Sequence, residues 1–266
     1  MKDVPEFNSG TMKRLEDMTW FTHAQIFEDL MVVAQKETAC YIWKTSEGLV
    51  VIDGIWPDKR VYNEILIAIK NAGWEDEKIT KFIITHGHID HVGCGKWLVE
   101  NHDIDTYLSK SDDELRVSTS HKDGHSDSWK EFNIDVHIGD GDIIFCGDKS
   151  IQVVATPGHT VGCMSFFFPV YDLGEKHMAG LFGGAVIPSG DEARKLLQKR
   201  SVAKFMDVAK SCNCDVALSN HTAFDNGLAR IEYSRSRMSH LPNIYILGEA
   251  GVQKFCEAYI RIVERN

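Results

Sequence analysis

The chain has 266 residues, of which 43% are hydrophobic and 26% are charged, and its formal net charge is −10. A chain of this length and composition can bury a substantial hydrophobic core, and we predict that residues 1–266 form a single domain. The excess of acidic residues argues against a nucleic acid as partner, because binding to its backbone depends on clustered Lys and Arg.

The sequence also bears on the compartment in which the protein works. The N-terminus, from Met1 to Glu6, lacks the cationic start and apolar core of a secretory signal. No stretch approaches the roughly 18 apolar residues that a membrane-spanning helix needs. The seven cysteines are an odd number spread along the chain, which suits reduced thiols better than a disulfide framework. These features predict a cytoplasmic protein with no membrane partner.

Short strands and helices are predicted in turn along the first half of the chain. Runs rich in β-branched and aromatic residues predict strands at 30–34, 39–44, 49–52, 81–85 and 106–109. Apolar residues at helical spacing predict helices at 57–71 and 92–101.

A polar segment follows at 111–129 and contains His121 and His125. We predict that it forms one wall of a substrate pocket. For Trp129, Phe132 and Tyr171, apolar contact with the substrate and ordinary packing are both open.

The second half is denser in strands. Turn residues separate strands predicted at 143–145, 151–155, 164–170, 181–182, 186–187 and 216–218. Helices are predicted at 191–211 and, as a closing C-terminal helix, at about 251–264. Strands in both halves, each followed by helices, predict an α/β architecture in which two sheets pack together with helices outside.

The segment His86-Gly87-His88-Ile89-Asp90-His91 directly follows the strand predicted at 81–85. Four potential metal ligands within six residues cannot share one face of a regular strand or helix. A tight loop is therefore predicted, in which Gly87 lets the backbone turn sharply. Imidazole and carboxylate ligands suit zinc, and iron or manganese less selectively. A histidine-rich surface loop without metal is the alternative, but the position at a strand end favours a metal centre that performs hydrolysis.

Two further histidines also lie just beyond predicted strands. His159 stands in Thr-Pro-Gly-His-Thr after the strand at 151–155, and His221 follows the strand at 216–218. Because 68 residues separate His159 from His91 and 62 separate His221 from His159, only tertiary folding can unite them. Alone, each would be typical of an ordinary polar residue. Together with the first segment, they predict a single site at one edge of the sheets.

In the order and spacing of these motifs, the chain from about Leu30 to His221 resembles the metallo-β-lactamase fold superfamily. The resemblance implies a four-layer αβ/βα sandwich with a two-metal site at its edge. It implies two zinc ions per chain, with iron or manganese as alternatives. The implied ligands are His86, His88 and His159 for the first ion, and Asp90, His91 and His221 for the second.

The resemblance also singles out Asp53, which ends the strand predicted at 49–52. It implies that this carboxylate steadies the metal loop, since such an acceptor fixes the tautomer of a ligand imidazole. A simple Asp-Gly turn residue is the alternative.

The chain departs from many members of this superfamily at Phe182-Gly183-Gly184-Ala185. Glyoxalase II enzymes and acyl-homoserine lactonases carry an aspartate there that bridges both ions. The third subclass of metallo-β-lactamases also lacks this bridge and is closest in ligand pattern. That subclass usually has serines near this point that hold the substrate carboxylate, whereas this chain has Gly184 and Val186. The difference argues against recognition of a β-lactam.

The resemblance implies a metal-dependent hydrolase in which a hydroxide activated by two metal ions attacks an ester, lactone, thioester or amide of a small substrate. Asp90 would bind the second ion and orient the nucleophile, and it is the predicted catalytic residue. The alternatives are a β-lactam-hydrolysing enzyme and a non-hydrolytic iron redox or metal-binding protein of the same fold. The oligomeric state is left open.

Overall fold

The computed structural model describes residues 20–35, 37–119, 127–188 and 190–265. In this part of the chain, the first sheet has seven strands that lie side by side in chain order. Strands β1 to β4 pair antiparallel, and β4 to β7 pair parallel. The strands are β1 (Thr22–Phe27), β2 (Leu30–Gln35), β3 (Thr38–Thr45), β4 (Gly48–Ile52), β5 (Ile79–Ile83), β6 (Asp105–Leu108) and β7 (Val136–His137).

The second sheet has five strands in the order β12-β11-β10-β9-β8. Its members are β8 (Ile143–Cys146), β9 (Lys149–Ala155), β10 (Met164–Asp172), β11 (Glu175–Phe182) and β12 (Val216–Ser219). Strands β8 to β11 form antiparallel hairpins, whereas β12 runs parallel to β11. Because parallel strands end at the same edge of a sheet, the residues after β11 and those after β12 are neighbours.

Helices pack around both sheets. They are α1 (Lys59–Asn71), α2 (Ile89–Val92), α3 (Gly95–Asn101), α4 (Lys110–Ser118), α5 (Glu192–Ser211), α6 (Gly227–Ser236) and α7 (Glu249–Arg265). Of the described residues, none lies in a helix that is both long and apolar enough to cross a membrane. All seven cysteines are free thiols.

Three clusters of buried apolar side chains define the layers. One lies between the sheets and includes Trp43, Phe166 and Leu181. A second packs the first sheet against α1 and α3, and a third packs the second sheet against α5 and α7. The layers therefore run helix, sheet, sheet, helix, which confirms the predicted α/β sandwich. That residues 1–266 form a single domain stays a prediction.

The helix predicted at 92–101 is wrong in its start and its continuity. It is two helices, α2 and α3, separated by Gly93. The backbone of residue 54 fills the break, since the N–H of Gly54 donates to the carbonyl of His91 and the carbonyl of Gly54 accepts from the N–H of Cys94. A Cβ on Gly93 would lie 1.7 Å from the carbonyl oxygen of Ile55. As a result, Asp90 and His91 lie on a helical turn and not in a loop.

Other differences have local causes. Strand β11 begins at Glu175, well before the predicted 181–182, because polar residues at its start hide the strand pattern. Residues 186–187 are not a strand, and β1 and α6 were not predicted.

Part of the polar segment at 111–129 folds as α4. Trp129 and Phe132 are buried in the core beside α3, which makes them packing residues; His121 and His125 lie outside the described residues.

The core between the sheets provides a test of stability. Leu181 is fully buried there, whereas Leu196 on α5 is 50% exposed. We expect Leu181→Ala to lower the free energy of unfolding by about 2–5 kcal/mol, because it leaves a cavity in a close-packed interior. Urea denaturation with Leu196→Ala as control measures the difference. Equal losses in the two variants would contradict the assigned layers.

Candidate metal centre

The six predicted ligands converge at one edge of the sandwich. His86 and His88 follow β5, and Asp90 and His91 lie on α2 directly beyond them. His159 follows β9 of the second sheet, and His221 follows β12. The ligand atoms form two groups of three, His86 with His88 and His159, and Asp90 with His91 and His221. Each group therefore joins residues from both sheets.

The first group contains a buried nitrogen, Nε2 of His86. His88 Nδ1 and His159 Nε2 are 2.9 Å apart. The ring of His86 lies 4.9 Å from that of His88 and 4.7 Å from that of His159, between centroids. Nε2 of His86 is buried and has no hydrogen-bond partner among the described residues. A buried polar atom without a partner is costly, and coordination to an ion would remove that cost.

The second group adjoins the first. His91 Nε2 lies 3.1 Å from His221 Nε2 and 3.5 Å from Asp90 Oδ2. Asp90 Oδ2 is 3.8 Å from His221 Nε2. The rings of His86 and His91 are 4.0 Å apart between centroids, so the two groups share a boundary.

These distances fit coordination of small divalent ions. Two nitrogens bound to one tetrahedral zinc at 2.0–2.1 Å are about 3.3–3.4 Å apart. The separations of 2.9 Å in the first group and 3.1 Å and 3.5 Å in the second lie close to that value. The donor set of imidazoles with one carboxylate also suits zinc, iron or manganese. Both groups therefore fit an ion.

Asp53 holds two of the histidines in the orientation that a ligand needs. His91 Nδ1 lies 2.8 Å from Asp53 Oδ2 and donates to it, which leaves Nε2 facing the site. The hydroxyl of Thr85 also donates its single proton to Asp53. Thr85 Oγ1 must then accept from His86 Nδ1, 3.1 Å away, and this bond turns the Nε2 of His86 toward the site. One carboxylate thus fixes the tautomers of His86 and His91.

The sequence analysis missed Asn220. Its Nδ2 carries two protons and lies 3.1 Å from Asp53 Oδ2, 3.0 Å from Thr85 Oγ1 and 2.7 Å from the carbonyl oxygen of Gly183. It donates to all three acceptors, with one proton shared between two of them. It thereby joins the end of β12 to the ends of β5 and β11. Its position directly before His221 was the available signal.

The glycine pair after β11 is a point of close packing. A Cβ on Gly183 would lie 2.0 Å from the carbonyl oxygen of Met164, so no side chain fits there without a shift of the backbone. A Cβ on Gly184 would lie 3.0 Å from both Cβ of His159 and Sγ of Cys163. The segment at which the resemblance implies a bridging aspartate is therefore closed to a side chain at Gly183 and crowded at Gly184.

The electrostatics favour the neutral form, which binds metal, at four of the five ligand histidines. Burial and the neighbouring imidazoles lower the pKa of His159 to about 3 and that of His221 to about 4. The pKa of His86 is also held well below its usual value, first by burial. Although burial raises the pKa of Asp90, the nearby His91, His221 and His88 outweigh it and lower that pKa, so the carboxyl is ionised at neutral pH.

Comparison with known proteins identifies the family of the chain. A family model described as the metallo-beta-lactamase superfamily matches residues 35–173, just over half of the chain. An uncharacterised protein of Aquifex aeolicus is 33% identical over 129 residues, which cover 45% of this chain and 53% of that protein. A hydroxyacylglutathione hydrolase of Mesorhizobium japonicum is 33% identical over 105 residues, covering 40% of this chain and 34% of that protein. The chain thus spans about a third to a half of these relatives.

Solved structures extend the likeness to nearly the whole chain. The subclass B3 metallo-beta-lactamase BJP-1 of Bradyrhizobium japonicum superposes with a TM-score of 0.78 and 21% identity, and the match covers 96% of each chain. The metallo-beta-lactamase FEZ-1 of Legionella gormanii has a TM-score of 0.74 and 19% identity, with 92% of this chain and 94% of that chain covered. At these identities the likeness establishes the fold.

The lowered pKa values of His159 and His221 make stability depend on pH. Between about pH 6.5, the pKa of an unfolded histidine, and about pH 4, the unfolded chain binds more protons than the folded one, so stability falls as the pH falls. We expect the chelator-treated protein to unfold at lower urea at pH 5 than at pH 7. His159→Gln/His221→Gln should reduce that difference. Although burial lowers the pKa of His91, the Asp90 and Asp53 carboxylates outweigh it and raise that pKa. The contribution of His91 to stability therefore changes with pH in the opposite direction, but His91 is present in both proteins and does not affect the comparison. An unchanged pH dependence in the double variant would contradict the prediction.

The hydrogen bonds of Asp53 predict that a substitution of this residue weakens metal binding. Asp53→Asn replaces one acceptor oxygen by a donor that faces His91 or Thr85. Loss of such a partner of a ligand typically weakens metal binding by about ten- to a hundredfold, and we expect a loss of that size. Zinc titration against a chromophoric chelator measures it, with the partly exposed Asp58 changed to Asn as control. An affinity that does not change on Asp53→Asn would show that the carboxylate plays no part in ligand orientation.

Proposed function

Because this chain belongs to the metallo-beta-lactamase superfamily, we propose that it is a metal-dependent hydrolase of a small substrate that contains an ester, lactone, thioester or amide. The observation that carries the proposal is the pair of three-residue groups at one sheet edge, with the buried Nε2 of His86 left for a ligand. We also propose that the ions are zinc and that the protein is cytoplasmic.

Two bound ions would supply water with a pKa lowered to about 7 and would polarise the substrate carbonyl. The residues of the chain set where this chemistry happens. His88, Asp90 and His159 are partly exposed, whereas His86, His91 and His221 are buried. The substrate therefore approaches from the side of His88, Asp90 and His159, and the buried histidines keep solvent from the other side.

Asp90 is the proposed catalytic residue. Its carboxyl is ionised at neutral pH, because three neighbouring histidines together lower its pKa. One of its oxygens, Oδ2, lies near His91 and His221. The carboxylate can accept a hydrogen bond from the attacking water and hold the proton that this water loses. His91 cannot take that part, since its Nδ1 is bound to Asp53 and its Nε2 faces the second group.

Two observations bear on the substrate. One curated relative is named a hydroxyacylglutathione hydrolase, which puts thioesters among the substrates to be tested. A β-lactam is the second candidate, because Gly183 and Gly184 offer no bridging carboxylate and the superposed structures include subclass B3 enzymes. The absence of serine at positions 184 and 186 argues against the second candidate.

Metal content and turnover provide the test. We expect up to two equivalents of zinc, with the second removed first by a chelator, since no carboxylate at 183 or 184 links the two ions. A panel of lactone, thioester, β-lactam (nitrocefin) and phosphodiester substrates, assayed with zinc, manganese and iron forms, should identify a hydrolysed class. His86→Ala and His221→Ala should each abolish turnover on that class without loss of circular dichroism.

His177→Ala is the matched control, because His177 is paired with Asp215 at 2.6 Å and belongs to neither ligand group. Full activity of His86→Ala would refute the proposed site. A fully loaded protein that hydrolyses no member of the panel would favour a non-catalytic metal-binding protein. Tight binding of iron alone, with a visible spectrum, would favour the redox alternative.

A further inference from the structure

Asp112 is a buried carboxylate between the loops that carry the first ligand group. It lies in the first turn of α4, and its side chain is completely shielded from solvent. Its carboxylate accepts three hydrogen bonds, from the N–H of Gly87 at 2.9 Å, the hydroxyl of Thr160 at 2.6 Å and the N–H of Gly162 at 2.8 Å. Three donors offset the cost of burying the charge.

All three donors belong to metal loops. Gly87 stands between His86 and His88, and Thr160 directly follows His159. The first loop leaves a strand of one sheet and the second loop leaves a strand of the other. A single carboxylate therefore ties together the two backbone segments whose histidines must meet.

The close approach of both loops to α4 also indicates that Asp112 holds them together. A Cβ on Gly87 would lie 2.2 Å from the carbonyl oxygen of Asp112, and a Cβ on Gly162 would lie 2.1 Å from Ser109 Oγ and 2.7 Å from Asp112 Oδ1. Both loops are thus pressed against the start of the helix. Their distance from each other is set by the carboxylate that they share.

The ordinary interpretation of this residue is a helix cap. Ser109 and Asp112 have the spacing of a capping box, in which the acidic side chain returns to the first residue of the motif. Ser109 Oγ does accept from the N–H of Asp112, at 3.3 Å. The carboxylate, however, receives its three hydrogen bonds from the metal loops. A capping role alone does not account for that arrangement.

We propose that Asp112 is a positioning residue for the first ion, which holds the loop of His86 and His88 against the loop of His159. It complements Asp53, which contacts His91 directly and His86 through Thr85. The inference rests on the proposed function, because it assumes that the first group binds a metal. Asp112 is bonded to the two metal loops and not placed to act on the substrate, so we expect its substitution to change metal affinity.

Two single-site proteins separate the two ions. His221→Ala retains the first group, and His86→Ala retains the second. Zinc is titrated into each protein in competition with a chromophoric chelator, with and without Asp112→Asn. We expect Asp112→Asn to weaken zinc binding about tenfold or more in the His221→Ala protein and to leave it within about twofold in the His86→Ala protein.

Asp113→Asn is the matched control on the same helix. Asp113 pairs with Arg116 at 2.6 Å and with His137 at 3.1 Å, and its carboxylate is not bonded to either metal loop. This variant should leave zinc affinity unchanged in both proteins. Equal losses on Asp112→Asn in both proteins, or no loss in the His221→Ala protein, would overturn the inference.

Thr160→Val extends the test if Asp112→Asn does not fold. This variant keeps the shape of the side chain and removes the hydroxyl that donates to Asp112. It should weaken zinc binding in the His221→Ala protein and not in the His86→Ala protein, and no change in the former would count against the inference. If the His221→Ala protein with Asp112 intact bound no zinc, the proposed function would fail. If it bound zinc regardless of Asp112, only the positioning role would fail.

Discussion

The site depends on the hydrogen bonds that Asp53 accepts in the interior of the protein. A buried carboxylate is tolerated only where donors surround it, and this one receives them from the backbone and hydroxyl of Thr85, the ring of His91 and the amide of Asn220. These donors come from β5, α2 and the end of β12, so the ligands cannot reach their positions until both sheets are packed. The same contacts decide which nitrogen of His86 and His91 is available.

Much of the site was predictable from the sequence because its signals are local. Histidines that directly follow apolar strands mark a sheet edge, and a cluster such as 86–91 needs no tertiary information to be recognised. The two sheets and the long helices α1 and α7 were likewise visible in hydrophobic periodicity, and the charged stretch at 191–211 indicated α5. What the sequence could not show depends on contacts between distant segments. The break at Gly93 exists because residue 54 occupies it, and the roles of Asn220 and Asp112 arise only from partners more than 20 residues away.

The two glycines after β11 show how packing can decide ligand chemistry. Gly183 lies against the backbone of β10, while its carbonyl accepts from Asn220. The carbonyl of Gly184 accepts from Gln198 on α5 and from Tyr259 on α7. The segment that could carry a bridging carboxylate is instead held by its backbone from both sides. No side-chain carboxylate from this segment therefore lies between the two ligand groups.

Each ligand group takes residues from both sheets. Separating the two halves of the sandwich would break both coordination spheres at once, so any bound ion opposes that opening. The metal-free chain would visit such open states more often and present its interior to proteases and to other chains. The supply of metal would then govern the abundance of the protein as well as its activity.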